Sequence, residues 1–343
     1  MSKHSERLAV KRLFSRRRFL ISTGAAGAAV LGASAFAEGE PEMHLLAIGD
    51  WGAPPEDTDD YKKLRSMQQK IARAMAAYSV EQGIGLSAVL ALGDNFYHAL
   101  RGTDDPRWQW GFENLFTKAN FACPFYAVMG NHDYEDGKQE NWKHEIAYAN
   151  DNPQGRWHFP ATNGATWYRQ DFSQGDKKLL TILFLDSNTD HMHLADGWNK
   201  QVEWIKSELD KSDHGRWLVI AAHHPMFTEG YHHSGKEDPD LYPKIRKDWL
   251  PKFSSAVFYV SGHDHNLQHI QHPDWNHLDF LISGAGGGDF PQKQEGFDAG
   301  WKTAFFKKFG FIHLAFTSTQ AKARLVSVDK AGQHTTEHEV SRS

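Results

Sequence analysis

The sequence predicts an α/β fold of stacked sheets flanked by helices, rather than one doubly wound sheet. Three observations lead there. Short apolar runs recur along the chain, and each stops at a small residue followed by Asp, Asn or His. Helical periodicity appears between the earlier runs. The last part of the chain continues with apolar runs that have no helices between them.

Met43–Ile48 is the first such run, a strand ending at Gly49-Asp50. Residues 61–78 carry Tyr61, Leu64, Ile71, Met75 and Tyr78 at helical spacing, with Asp and Thr residues ahead of them as caps. Residues 86–92 and 124–129 read as strands ending at Gly93-Asp94 and Gly130-Asn131-His132. A fourth strand, 179–185, ends at Asp186; a helix over 198–209 follows, and a strand over 217–222 runs into His223-His224-Pro225. Residues 256–260 lead to Gly262-His263, and 278–282, 311–316 and 323–328 complete the strands. No repeat or long linker divides residues 43–330, which read as one domain followed by a C-terminal tail, 331–343.

Ahead of the domain lies an export signal. Ser15-Arg16-Arg17-Arg18-Phe19-Leu20 leads into an Ala/Gly-rich apolar stretch that ends in Ala35-Phe36-Ala37, a small-x-small cleavage site. The twin arginine assigns residues 1–37 to the Tat class, which makes the Tat translocation machinery a partner and the periplasm or the exterior the destination. Three glycines with Ser and Thr make this stretch a poor membrane span, and no later segment is apolar enough for one. The signal holds seven Lys and Arg and one Glu, so the remainder carries 31 bases against 42 acids, a net charge of −11. Such an acidic chain without a basic stretch is unsuited to gripping nucleic acid. At 40% hydrophobic and 24% charged, the composition excludes a disordered or collagen-like chain. The single cysteine, Cys123, excludes an intramolecular disulfide framework and reads as a small core residue. The 21 histidines raise the suspicion of a metal site.

Taken singly, the strand-end residues say little. An Asp after a strand is more often a helix cap, a Gly-Asn is usually a turn, and an isolated His is commonly a surface group. Their combination is more specific. Asp50-Trp51-Gly52, Gly93-Asp94-Asn95-Phe96-Tyr97, Gly130-Asn131-His132-Asp133, His223-His224-Pro225 and Gly262-His263-Asp264-His265 follow one another in that order. In open α/β sheets, ligands bind beyond the carboxyl ends of the strands, so neighbouring strands would bring these residues together.

This set resembles the purple acid phosphatases of the calcineurin-like metallophosphoesterase superfamily, in particular the small mammalian-type, tartrate-resistant members. Their D-x-G, G-D-x-x-Y, G-N-H-D/E, H-x-P and G-H-x-H motifs are all present, and Asn266-Leu267-Gln268 and Ser283-Gly284-Ala285-Gly286 extend the likeness. The resemblance implies a four-layer αββα sandwich of two mixed sheets and a binuclear metal centre. Asp94 would bridge the metals. Asp50, Tyr97 and His265 would complete a site for Fe(III), and Asn131, His223 and His263 one for Fe(II), Zn(II) or Mn(II), in keeping with the ligand preferences of those ions. His132 and His232 would contact substrate phosphate, with His233 as the alternative to the second; His224 would point away by strand alternation, and Asp264 would support the turn. His98 could reach the cleft or be inert, while His191, His193, His269, His272 and His277 match no motif and are expected to be exposed or hydrogen-bonded. Loops over 186–198 and 284–301 are expected to rim the site. The implied activity is hydrolysis of small-molecule phosphate monoesters by a metal-bound hydroxide at acid pH, without a phosphoenzyme. A phosphodiesterase or nucleotidase on the same core, or a redox-active metal-binding protein with incidental hydrolysis, are the alternatives.

Overall fold

The computed structural model describes residues 42–52, 58–134, 140–189, 196–234, 240–291 and 300–343. The expected export signal, His191, His193 and parts of both expected rim loops lie outside them. Along the chain run β1 (Met43–Ile48), α1 (Asp59–Glu81), β2 (Leu86–Ala91), β3 (Phe125–Ala127), α2 (Asn131–Tyr134), α3 (Asn141–Asp151), β4 (Trp157–His158), β5 (Tyr168–Gln174), β6 (Lys177–Phe184), α4 (Gly197–Leu209), β7 (Trp217–Ala221), α5 (Leu241–Asp248), β8 (Phe258–Ser261), β9 (Leu267–Gln271), β10 (Asp279–Ser283), β11 (Lys302–Phe306), β12 (Phe309–Phe316), β13 (Ala321–Val328) and β14 (His334–Arg342).

The strands form two seven-stranded sheets, ordered β14-β13-β12-β1-β2-β3-β4 and β11-β9-β10-β8-β7-β6-β5. Both are mixed. In the first, β1 to β4 run parallel while β12 to β14 are antiparallel. In the second, β6, β7, β8 and β10 run parallel, while β5, β9 and β11 join through antiparallel pairings.

Side-chain alternation sorts the faces. In β1 and β12, Leu45 and Ala47 pair with Leu314 and Ile312. Their face meets the second sheet, where Phe316 lies 6.3 Å from Phe258 of β8, ring to ring. The opposite face carries Leu46 and His313 and packs under α1, whose Tyr78 hydroxyl bonds the His313 ring at 2.9 Å. Thr58 caps α1 by accepting from the Tyr61 N–H, and Asp59 and Asp60 sit favourably in its first turn. Beyond the second sheet, α4 and α5 bury Ile205 and Ile245 with Leu218, Ile220, Tyr259 and Phe280, and Trp198 stacks on Trp249 at 4.8 Å. The layers are therefore α, β, β, α, as the resemblance implied.

Residues 331–343 depart from the expected tail. They carry β14, whose polar sequence hides its pairing with β13. This strand also ties the first sheet to the second. Arg342 donates to Asp279 of β10 at 2.5 Å, and His338 lies 2.9 Å from His269 of β9, whose other nitrogen lies 2.9 Å from Asp279. Asp279 is fully buried. Burial alone would raise its carboxyl, but His269 and Arg342 outweigh it and hold the group below the usual carboxylate value.

Arg342→Ala leaves that buried charge short of a partner and is expected to destabilise the fold by about 3 kcal/mol at neutral pH. Because the folded-state value of Asp279 is depressed, this contribution is present above about pH 4 and is lost as pH falls through the folded value. Urea midpoints of wild type and variant at neutral and strongly acid pH check this; the difference should shrink in acid.

Candidate metal centre

Asp50, Asp94 and Asn131 follow β1, β2 and β3, three parallel neighbours, and His223 and His263 follow β7 and β8 in the facing sheet. The strand ends are stitched together: the Asp50 N–H donates to Gly93 O at 3.0 Å, and the Gly262 N–H to His223 O at 3.0 Å. Asp50, Asp94 and His263 adopt left-handed backbone angles, φ 60°, 51° and 67°. Such conformations cost non-glycine residues on the order of 1–3 kcal/mol each and persist where surrounding contacts over-determine them. Here they turn carboxylate and imidazole back over the strand ends. Gly130 has no room for a side chain, since a Cβ there would lie 2.2 Å from Asp94 Oδ1.

All nine expected site residues come together. His223 Nε2, His263 Nδ1 and Asn131 Oδ1 lie 3.0 to 3.2 Å from one another. Donors bound about 2.0–2.1 Å from a common cation are separated by roughly 3.0–3.4 Å, so this trio has the spacing of a coordination shell. His223 Nδ1 faces Leu92 O at 2.8 Å, which leaves Nε2 to the site. Asp94 Oδ1 stands 3.5 Å from His223 Nε2 and accepts the His132 N–H at 2.9 Å. Asp50 Oδ2 accepts the His263 N–H at 2.9 Å. Its other oxygen, 3.5 Å from His265 Nε2, is buried without a hydrogen-bond partner. The Tyr97 hydroxyl is 3.2 Å from the same His265 nitrogen. Among the described residues, Asp50, Asp94 and His223 form one close group of possible cation ligands, and His223, His224 and His263 form another.

The electrostatics call for cations. Burial pushes the Asp50 carboxyl well up, and Asp94 adds to it against the pull of His223. Asp94 is held low because His223 and His132 outweigh its burial. Burial, then Asp94 and Asp50, raise the Tyr97 phenol well above its ordinary value, so it keeps its proton unless a strong positive charge is near. Burial and the surrounding imidazoles keep His263 neutral, the form that binds metal.

His132 and His232 flank the donors, their rings 4.3 Å from Tyr97 and 4.1 Å from His263. The His233 side chain lies outside the described residues. Asp264 supports the His232 turn, accepting from the Thr228 hydroxyl and, at 3.1 Å, from the His232 N–H. His224 corrects the expectation that it points away. Its ring sits 4.4 Å from His263, with Nδ1 2.7 Å from Ser187 Oγ, because β7 has already ended at Ala221 and strand alternation no longer applies. His98 is exposed; its carbonyl and that of Tyr97 accept from the buried Arg107, which, with Asn141, braces the loop after Tyr97. No motif marks Arg107 or Asn141, since what they hold in this loop is backbone: carbonyls and, for Asn141, the Leu100 N–H.

Gly130→Ala forces the Asp94 carboxylate aside. Metal titration is expected to show affinity reduced by about tenfold or more, as when groups that orient metal ligands are lost, while circular dichroism shows a retained fold.

Comparison with known proteins bears on the same residues. Residues 43–267 match the family model described as calcineurin-like phosphoesterase. The chain is 28% identical to tartrate-resistant acid phosphatase type 5 of Homo sapiens over 270 residues, covering 74% of this chain and 76% of that one. Among solved structures, it is similar to the purple acid phosphatase PPD1 of yellow lupin (TM-score 0.62, 15% identity, 90% of this chain and 55% of that one). It is similar also to GAP50, the anchor in the inner membrane complex of Plasmodium (TM-score 0.67, 19% identity, 87% and 88%). An anchor and a phosphatase on one architecture show that fold alone does not settle activity. Matching the family model over most of its length, with the motif residues gathered at the strand ends, the chain belongs to the calcineurin-like phosphoesterase family.

Proposed function

We propose that this protein is an exported acid phosphatase that hydrolyses phosphate monoesters at a binuclear centre of Fe(III) with Fe(II), Zn(II) or Mn(II). One observation carries the reading: seven side chains with oxygen or nitrogen donors, a tyrosine among them, converge at the strand ends, and one buried carboxylate oxygen of Asp50 has no hydrogen-bond partner. The likeness to a tartrate-resistant acid phosphatase supports it. In this reading Asp50, Tyr97 and His265 hold the trivalent ion, whose charge is what a raised phenol needs in order to ionise. Asn131, His223 and His263 would hold the divalent one, and Asp94 would serve both. Bound cations of this kind supply Lewis-acid charge to a phosphate and lower the pKa of water. His132 and His232 orient the phosphate from either side, and one of them delivers the proton to the departing alcohol oxygen. The twin-arginine segment directs the folded protein to the periplasm or beyond. Among the described residues no helix is long and apolar enough to cross a membrane.

Elemental analysis of the purified protein should find two metals per chain with iron among them, and the visible spectrum a charge-transfer band that Tyr97→Phe abolishes. A colourless, iron-free protein overturns the Fe(III)–Tyr97 assignment. His132→Ala should lower kcat on p-nitrophenyl phosphate by about 10²–10⁴-fold with metal content unchanged. Faster turnover of bis(p-nitrophenyl) phosphate than of the monoester would favour a diesterase, and negligible turnover with both metals bound would favour a binding protein.

A further inference from the structure

Behind the donor loops lies a pair of carboxyl groups that the reaction does not use. Asp133 in α2 is fully buried and accepts three backbone N–H groups, from Gly130 at 2.8 Å, Asn95 at 3.1 Å and Phe96 at 3.2 Å. Glu145 in α3 is also fully buried, and its Oε2 accepts from Asn95 Nδ2 at 2.9 Å. The same amide donates to Val128 O at 3.0 Å. These contacts join the loop that carries Asp94 and Tyr97 to the loop that carries Asn131 and His132, and fasten both to α3.

Two carboxyl groups meeting in a buried site cannot both be charged without a large cost. Among the described residues, Glu145 Oε1 is buried with no hydrogen-bond partner. Burial and then Asp133 push its carboxyl well above the ordinary value. Asn95 is therefore the direct link, its side-chain amide reaching Glu145 and its backbone N–H reaching Asp133.

We infer that Glu145 is a positioning residue of the metal centre, its hydrogen bond to the Asn95 amide setting the spacing between the Asp94–Tyr97 and Asn131–His132 loops. The inference rests on the dimetal reading of the site. Its consequence is that an apolar group of the same volume cannot replace the acceptor that Glu145 offers to Asn95.

The test compares Glu145→Gln, which keeps an acceptor for Asn95, with Glu145→Met, which fills the volume without one, in the full-length metal-loaded protein. Metal retention against a chelator series, the visible band and the separate values of kcat and KM are measured. E145Q should match the wild type in all of them, whereas E145M should lose metal at about 10–100-fold lower chelator concentration, with a shifted or weakened band. Loss of metal by E145Q to the extent seen in E145M overturns the inference, and so does unchanged retention in E145M. Should E145M give no folded protein, Asn95→Ser removes the amide that Glu145 grips and is expected to show the same loss; full retention in N95S is then the overturning result. A wild type that binds no metal fails the functional reading itself, and is distinguished from a wild type that binds two metals alongside an unaffected variant.

Discussion

Two buried carboxylates set the terms for the rest of the molecule. Asp50 and Asp94 stand side by side because β1 and β2 are parallel neighbours that end at one edge, and neither has solvent to screen it. In a low-dielectric interior such a pair is tolerable only with compensating charge and directed donors. The surroundings supply the donors: the His132 and His263 N–H groups each end on one carboxylate. They do not supply enough positive charge, which is why a cation belongs there. The left-handed backbone at Asp50, Asp94 and His263, and the bare Cα of Gly130, serve the same crowding.

The sandwich explains how so few local signals produce so concentrated a site. Each sheet brings its parallel strands to a common edge, and stacking the sheets sets Asp50, Asp94 and Asn131 opposite His223 and His263. The inter-sheet core, with residues such as Leu45, Leu314, Phe258 and Val260, fixes that distance by close packing. Movement of one sheet against the other would spread the trio of Asn131, His223 and His263, so core packing and the chemistry at the edge are one problem.

Histidine is abundant here for two unrelated reasons. Those at the strand ends face the site. Others are polar links inside the scaffold: His44 and His313 lie 3.1 Å apart under α1, and burial, then His44 and Arg324, push His313 down to about 3, so it stays neutral. His269 and His338 link the sheets through β14. His272 packs its ring on Phe227 at 4.4 Å. Number alone could not separate these uses; position relative to a strand end could.

The sequence by itself determined the central strands and the polar residues that gather at their ends. Strands buried on both faces read as unbroken apolar runs, and the donors come immediately after, where chain order and spatial order coincide. It determined α1 through its apolar stripe. The polar strands β9 and β14 and the short helices α3 and α5 stayed hidden, because their stability comes from pairing and packing partners distant in the chain. Only the tertiary structure decided the neighbourhood of His224, the bracing of the Tyr97 loop by Arg107 and Asn141, and the meeting of Glu145 with Asn95 and Asp133. Each depends on hydrogen bonds between segments far apart in sequence, and a residue's local context carries no record of which distant carbonyl or carboxyl it will face.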